Sequence, residues 1–260
     1  MMKGYPLLSV VVSFTAINGL SRKQLISCYM IWSELSQQKK EKDTFSQLAE
    51  LAELPEPQTE PEIQDTDPAE ETIPPAVHKH DFTGLKEQNS ECVAWICIPD
   101  TAVDYPIMHT PKQPQKYLRM DFYGDYSQSG VPFLDFRCTE GSTNLITYGH
   151  NMKNGTMYAD IRYYADPSFC ESHPVIEWET EEGVKNYTVF AAAVVNKLDG
   201  WYDFINAESE DDYTQHIQTL ADKALYVTDA IPKYGTRLLT LSTCYGGDSD
   251  SRLIVVAAAQ

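Results

Sequence analysis

The chain is short of positive charge: among its 260 residues, 20 lysines and arginines stand against 38 aspartates and glutamates, a net charge of −18. A surface that acidic repels phosphate backbones, which excludes nucleic acid as a partner and gives no support for broad adhesion to anionic lipid. Paired cysteine motifs are also missing. Cys28, Cys92, Cys97, Cys138, Cys170 and Cys244 contain no C-x-x-C spacing, so neither a zinc site nor a thioredoxin-like pair is indicated. Their irregular intervals read as free thiols, most of them packing as small apolar groups. Cys92 and Cys97 share one apolar run and, five apart on a strand, face opposite sides. No internal repeat is present. Nor does any apolar run reach the roughly 20 residues that span a bilayer comfortably. Residues 5–20 are largely apolar, Arg22 and Lys23 interrupt, and a second apolar patch covers 25–32. With no small-x-small cleavage site, residues 1–32 read as an uncleaved signal anchor, with a surface amphipathic segment as the alternative.

What is there divides into four stretches. After the anchor, residues 33–54 carry Phe45, Leu48, Leu51 and Ala52 at helical spacing and read as a juxtamembrane helix. Residues 55–80 form an acidic, Pro-rich linker that buries too little apolar surface to offset its ordering entropy. His78 and His80 fall at its end, where a solvated linker is a better reading than a metal site. From 81 onward the composition is that of a folded domain. A short helix is expected over 82–91, then a hairpin of strands 93–98 and 103–108 around Pro99-Asp100-Thr101-Ala102. Further strands are expected at 131–135, 144–148, 175–179, 187–196, 238–243 and 253–259, with helices at 156–164 and 208–226. Eight short strands with few helices make a mostly β, α+β domain, either a barrel or a sandwich.

The C-terminal hairpin RLLTLSTCYGGDSDSRLIVVAAA carries the chemistry. One strand runs into Cys244, a Gly-, Ser- and Asp-rich loop follows, and Arg252 opens the next strand. Paired strands would set Cys244 opposite Arg252, about 4.5–5.5 Å apart at Cα. A thiolate is the nucleophile, a nearby cation favours it, and a guanidinium donates two fixed hydrogen bonds to an oxyanion. His150, at the end of the 144–148 strand in Tyr148-Gly149-His150-Asn151-Met152, supplies an imidazole that shuttles protons near neutral pH. On residues alone, Cys244 also fits a packing thiol. His109, His173 and His216 take the ordinary reading of surface or satisfied core residues. Asp248 and Asp250 read as a solvated turn rather than a calcium site, and no metal or organic cofactor is indicated.

These residues resemble a known family. TLSTC ending at Cys244, the arginine opening the next strand, YGHNM around His150, the hairpin WICIPDTAVDYPIM and the segment YLRMDFYGDYSQSGVPFLDFR together resemble the class B sortases over residues 82–260. The resemblance implies an eight-stranded sortase-type β-barrel with an N-terminal helix and a helix inserted before the penultimate strands. It implies a Gram-positive cysteine transpeptidase. In that reading Cys244 attacks the threonine carbonyl of a C-terminal sorting signal, His150 protonates the leaving glycine amine, and Arg252 stabilises the oxyanion or holds the substrate. Leu118, Ser242 and Tyr202 are implied as groove residues. The implied partners are a sorting-signal-bearing surface protein and a cell-wall stem peptide or lipid-linked precursor. The implied location is the cell membrane, with a single N-terminal span and an extracellular catalytic domain. A cysteine endopeptidase using water and a non-catalytic wall-associated peptide-binding module are the alternatives. Tyr245 follows the nucleophile where some relatives carry an acidic residue, so no acidic third partner is expected there.

Overall fold

The computed structural model describes residues 22–52 and 78–260. They fall into two compact units, Met1–Asp43 and Thr44–Gln260. Helix α1 (Arg22–Ala52) begins earlier than the periodicity suggested. Its final turns, within the second unit, bury Leu48 and Ala52 beside Phe82, Leu85 and Trp95. This helix corrects the expected localisation. Among the described residues no helix is long and apolar enough to cross a membrane, so a single-pass N-terminal anchor holding the domain outside the cell is unsupported. The physical reason is length: the apolar patch that starts at Leu25 gives way to Ser33, Glu34 and the Gln-Gln-Lys-Lys run within a few turns. The apolar stretch at 5–20 and the linker at 55–77 lie outside the described residues.

The linker's last residues are bonded to the barrel, with His80 buried and the Lys79 side chain exposed. The backbone N–H groups of Lys79 and His80 both donate to Glu179 Oε1, at 2.7 and 3.0 Å. The His80 ring meets Glu179 Oε2 at 2.6 Å and stacks on Trp95 at 4.2 Å. Glu179 is 3% exposed, and a carboxylate that deep requires donors.

Helix α2 (Phe82–Gln88) is capped by Asp81, whose side chain accepts from the Gly84 N–H. Strands β1 (Cys92–Cys97) and β2 (Asp104–Met108) form the expected hairpin. The remaining strands are β3 (Phe133–Leu134), β4 (Asn144–Tyr148), β5 (Val175–Thr180), β6 (Gly183–Asn196), β7 (Tyr226–Val227), β8 (Leu238–Cys244) and β9 (Ser251–Ala259). They order as β5-β1-β2-β3-β4-β8-β9-β6, and pairing of β6 with β5 closes an eight-stranded barrel; β7 is a short extra strand on β6. Closure leaves those strands no free edge. Where β6 meets β9, small residues lie opposite large ones, Ala192 opposite Val255 on one face and Ala193 opposite Ile254 on the other, and all four are buried.

Helix α3 (Pro167–Ser172) was not visible in the residue pattern because it is a single short turn started by the Asp166 cap and Pro167. The expected helix at 156–164 is instead a 3-10 segment, Asp160–Ala165, after Met157 turns the chain with φ 58°. Helix α4 (Glu210–Lys223), capped by Ser209, is the insertion between β6 and the last strands. Its Tyr213, Ile217 and Leu220 are buried at helical spacing.

Candidate active site

The site is built where three neighbouring strands end. β4 and β8 run parallel, with Tyr148 level with Ser242, so His150 and Cys244, two residues further along each, leave the sheet side by side. β8 and β9 run antiparallel with Cys244 opposite Arg252. All three residues line one cavity of about 460 Å3, together with Leu118, Ser242 and Tyr202. The sequence therefore named six residues that the fold brings to one groove.

Each is held differently. Cys244 is exposed, whereas Cys92, Cys138 and Cys170 are buried. Burial pushes the Cys92 and Cys97 thiols up to about 12 and the Cys138 thiol to about 11, which keeps them protonated and inert. His150 is half-buried. Its Nε2–H donates to the Leu118 carbonyl oxygen at 3.0 Å, which leaves Nδ1 as the nitrogen able to exchange a proton. Burial holds its pKa below 6.5, and the Arg119 charge acts in the same direction while the Leu118 carbonyl opposes them. Arg252 uses Nη1 to bond the carbonyls of Ser249 and Ser251, both at 2.9 Å. Among the described residues its Nε and Nη2 carry no hydrogen bond.

Cross-links keep the histidine and cysteine loops in register. Gly149 N–H donates to the Ser242 carbonyl at 3.2 Å, Thr243 Oγ1 donates to the Gly149 carbonyl at 2.8 Å, and Asn151 Nδ2 donates to the Cys244 carbonyl at 3.0 Å. Tyr202 and Ser242 share a hydrogen bond between hydroxyls at 2.7 Å, and burial pushes the Tyr202 phenol up to about 12. Tyr202 also stacks against Tyr148, ring centroids 6.1 Å apart.

Sequence reasoning did not single out Asn151, Thr243, Asp135 or Arg137. A usable signal existed for the last two: an Asp-x-Arg placed directly after an apolar strand implies a buried charge with its partner. Burial alone would raise the Asp135 carboxyl, but its bonds with Arg137 and the Tyr148 hydroxyl hold it below the usual carboxylate range. The other histidines lie elsewhere. His173 stacks on Phe169 and His216 on Phe204. His109 lines a second cavity, about 550 Å3, at the end of the barrel where β4 and β8 begin. Among the described residues no group of histidines, cysteines and carboxylates could hold a metal ion.

The sortase domain family matches residues 96–260. The chain belongs to the sortase family. Within it the chain is similar to class B members. It is 33% identical over 170 residues to sortase B of Listeria monocytogenes, covering 64% of this chain and 68% of that one. It is 31% identical over 180 residues to sortase B of Staphylococcus aureus, covering 68% and 73%. Among solved structures, the Staphylococcus aureus sortase B–substrate complex superposes with TM-score 0.64 at 30% identity, covering 69% of this chain and 84% of that one. Clostridium perfringens sortase B superposes with TM-score 0.65 at 27% identity, covering 69% and 100%. This sortase is accordingly a cysteine transpeptidase of a family that acts on sorting signals and peptide nucleophiles.

Proposed function

We propose that this sortase cleaves a C-terminal sorting signal at a Thr–Gly type bond and joins the protein to a cell-wall peptide amine. Cys244 Sγ attacks the threonine carbonyl carbon as the thiol proton passes to His150 Nδ1, and the negative charge that develops on oxygen is met by the free N–H groups of Arg252. His150 Nδ1 delivers its proton to the departing glycine amine as the C–N bond breaks, which leaves a thioester. An incoming amine then attacks the thioester carbon, returns a proton to the imidazole, and displaces the Cys244 thiolate. Two acyl transfers conserve the energy of one amide in another.

The observation that carries this reading is the convergence of Cys244, His150 and Arg252 on one open cavity. The lowered His150 pKa makes the imidazolium a willing proton donor to an amine. The aromatic and aliphatic walls suit the side chains of an extended peptide.

The test uses a peptide library built around a Thr–Gly bond, with and without an oligoglycine or diamino-acid stem peptide. A ligated product is expected, together with a trapped Cys244 thioester and its loss in Cys244→Ala. Cleavage without ligation for every acceptor would make the enzyme an endopeptidase using water. Full turnover by Cys244→Ala would end the cysteine mechanism.

A further inference from the structure

The groove wall that carries Tyr202 comes from the long excursion between β6 and β8, far in sequence from the strands that hold His150 and Cys244. A charged clamp ties it to the barrel. Arg137 grips Asp135 with Nε to Oδ1 at 2.9 Å and Nη2 to Oδ2 at 3.0 Å. The same Nη2 donates to the Tyr202 carbonyl at 2.6 Å, and Nη1 reaches the exposed Asp203 carboxylate at 3.3 Å. Asp135, 4% exposed, also accepts from the Tyr148 hydroxyl at 2.7 Å. The Tyr202 hydroxyl in turn bonds Ser242, which is level with Tyr148 on the adjoining strand. A chain of hydrogen bonds therefore runs Tyr148–Asp135–Arg137–Tyr202–Ser242 through residues that line the cavity, its two ends level on the paired strands β4 and β8.

The rest of the excursion has its own moorings. Trp201 Nε1 donates to Thr240 Oγ1 at 3.1 Å, and Asn144 Nδ2 donates to the Phe204 carbonyl at 2.9 Å. What Arg137 adds is a hold on the one carbonyl next to the Tyr202 ring. A planar guanidinium can chelate a carboxylate and reach a third acceptor at once, whereas an ammonium cannot keep that fork geometry.

We propose that Arg137, seated on Asp135, is a positioning residue for the sorting peptide: it aims Tyr202 at Ser242 and so fixes the groove wall against which the peptide lies. This rests on the sortase reading above. The clamp controls peptide binding and leaves the reactivity of the Cys244 thiol alone.

The experiment compares Arg137→Gln, Arg137→Lys, Tyr202→Ala and the Arg137→Gln/Tyr202→Ala double variant in the full chain. The substrate is the best-cleaved Thr–Gly peptide of the library. In Arg137→Gln, KM should rise about tenfold with kcat changed less than about threefold, and Arg137→Lys should recover little of the loss. In the Tyr202→Ala background the same substitution should add less than about twofold, because a residue acting through another loses its effect when that one is gone. Alkylation of Cys244 by iodoacetamide should stay within about twofold throughout. Additive effects of the two substitutions, or alkylation slowing in step with kcat/KM, would overturn the clamp. Tyrosine ring-carbon NMR gives a readout that needs no turnover: the Tyr202 signals should shift in Arg137→Gln, and unchanged signals would also overturn it. A wild-type enzyme inactive on every library peptide but showing that shift would refute the reaction and keep the clamp.

Discussion

Two loops at the ends of adjacent parallel strands supply the imidazole and the thiol, and they are built in opposite ways. The histidine loop is packed. A Cβ on Gly149 would stand 2.5 Å from the Tyr158 ring, which is fully buried and bonded to Thr147 at 3.0 Å. His150 is further pinned by the Leu118 carbonyl. The cysteine loop is open. A Cβ on Gly247 would meet nothing within 4 Å, and the Asp248, Ser249 and Asp250 side chains bond mostly within the loop. On the proposed mechanism the difference has a reason. A proton must be delivered at one fixed point, whereas the thioester must admit two partners in succession.

The largest test of this contrast is His150→Ala. It should lower kcat by about 10²–10⁴ while Cys244 is still alkylated by iodoacetamide. A residual rate near wild type would remove the histidine from the mechanism. Arg252→Ala should cost about 10²–10³ in kcat, the usual loss for an oxyanion donor, measured on the same peptide. If KM alone rises, Arg252 holds ground-state substrate instead.

The two glycines give the sharpest contrast. Gly149→Ala must push the buried Tyr158 ring aside, at about 1–3 kcal/mol in denaturant melts, and should reduce kcat/KM about tenfold. Gly247→Ala should stay within about 0.5 kcal/mol and near full activity. Equal effects at both positions would erase the distinction between a rigid and an open loop.

The smallest effect is a pH slope. Folding depresses the His150 pKa below 6.5, so below pH 6.5 the unfolded chain takes up a proton that the folded chain refuses. The stability this group contributes is complete above pH 6.5 and is lost as pH falls towards its folded value. His109, also depressed by burial, adds to the same slope. His150→Gln should therefore melt with a shallower loss between pH 7 and pH 5, and an unchanged slope would contradict the burial of the ring.

Much of the fold was readable from local pattern. The β1–β2 hairpin, β4, β8 and β9 were found within a residue or two because alternation of apolar residues and turn chemistry is written locally. β3 was expected at 131–135 and pairs only over Phe133–Leu134, while β7 is a two-residue strand with no periodicity to detect. The bonded end of the linker escaped notice because its order comes from Glu179, roughly a hundred residues away in sequence. In the candidate site, residue types drew attention to Cys244, His150 and Arg252, while the carbonyls of Leu118 and Tyr202 act through backbone atoms that no side-chain pattern reveals.

By itself the sequence determined the acidic character, the run of short strands and the presence of a thiol, an imidazole and a guanidinium at strand ends. Only the tertiary structure decided that those groups meet. Parallel pairing of β4 with β8 joins segments separated by the whole β5–β6–α4 excursion. Such pairing is set by barrel closure and burial across the molecule, not by any preference of the residues at either strand end.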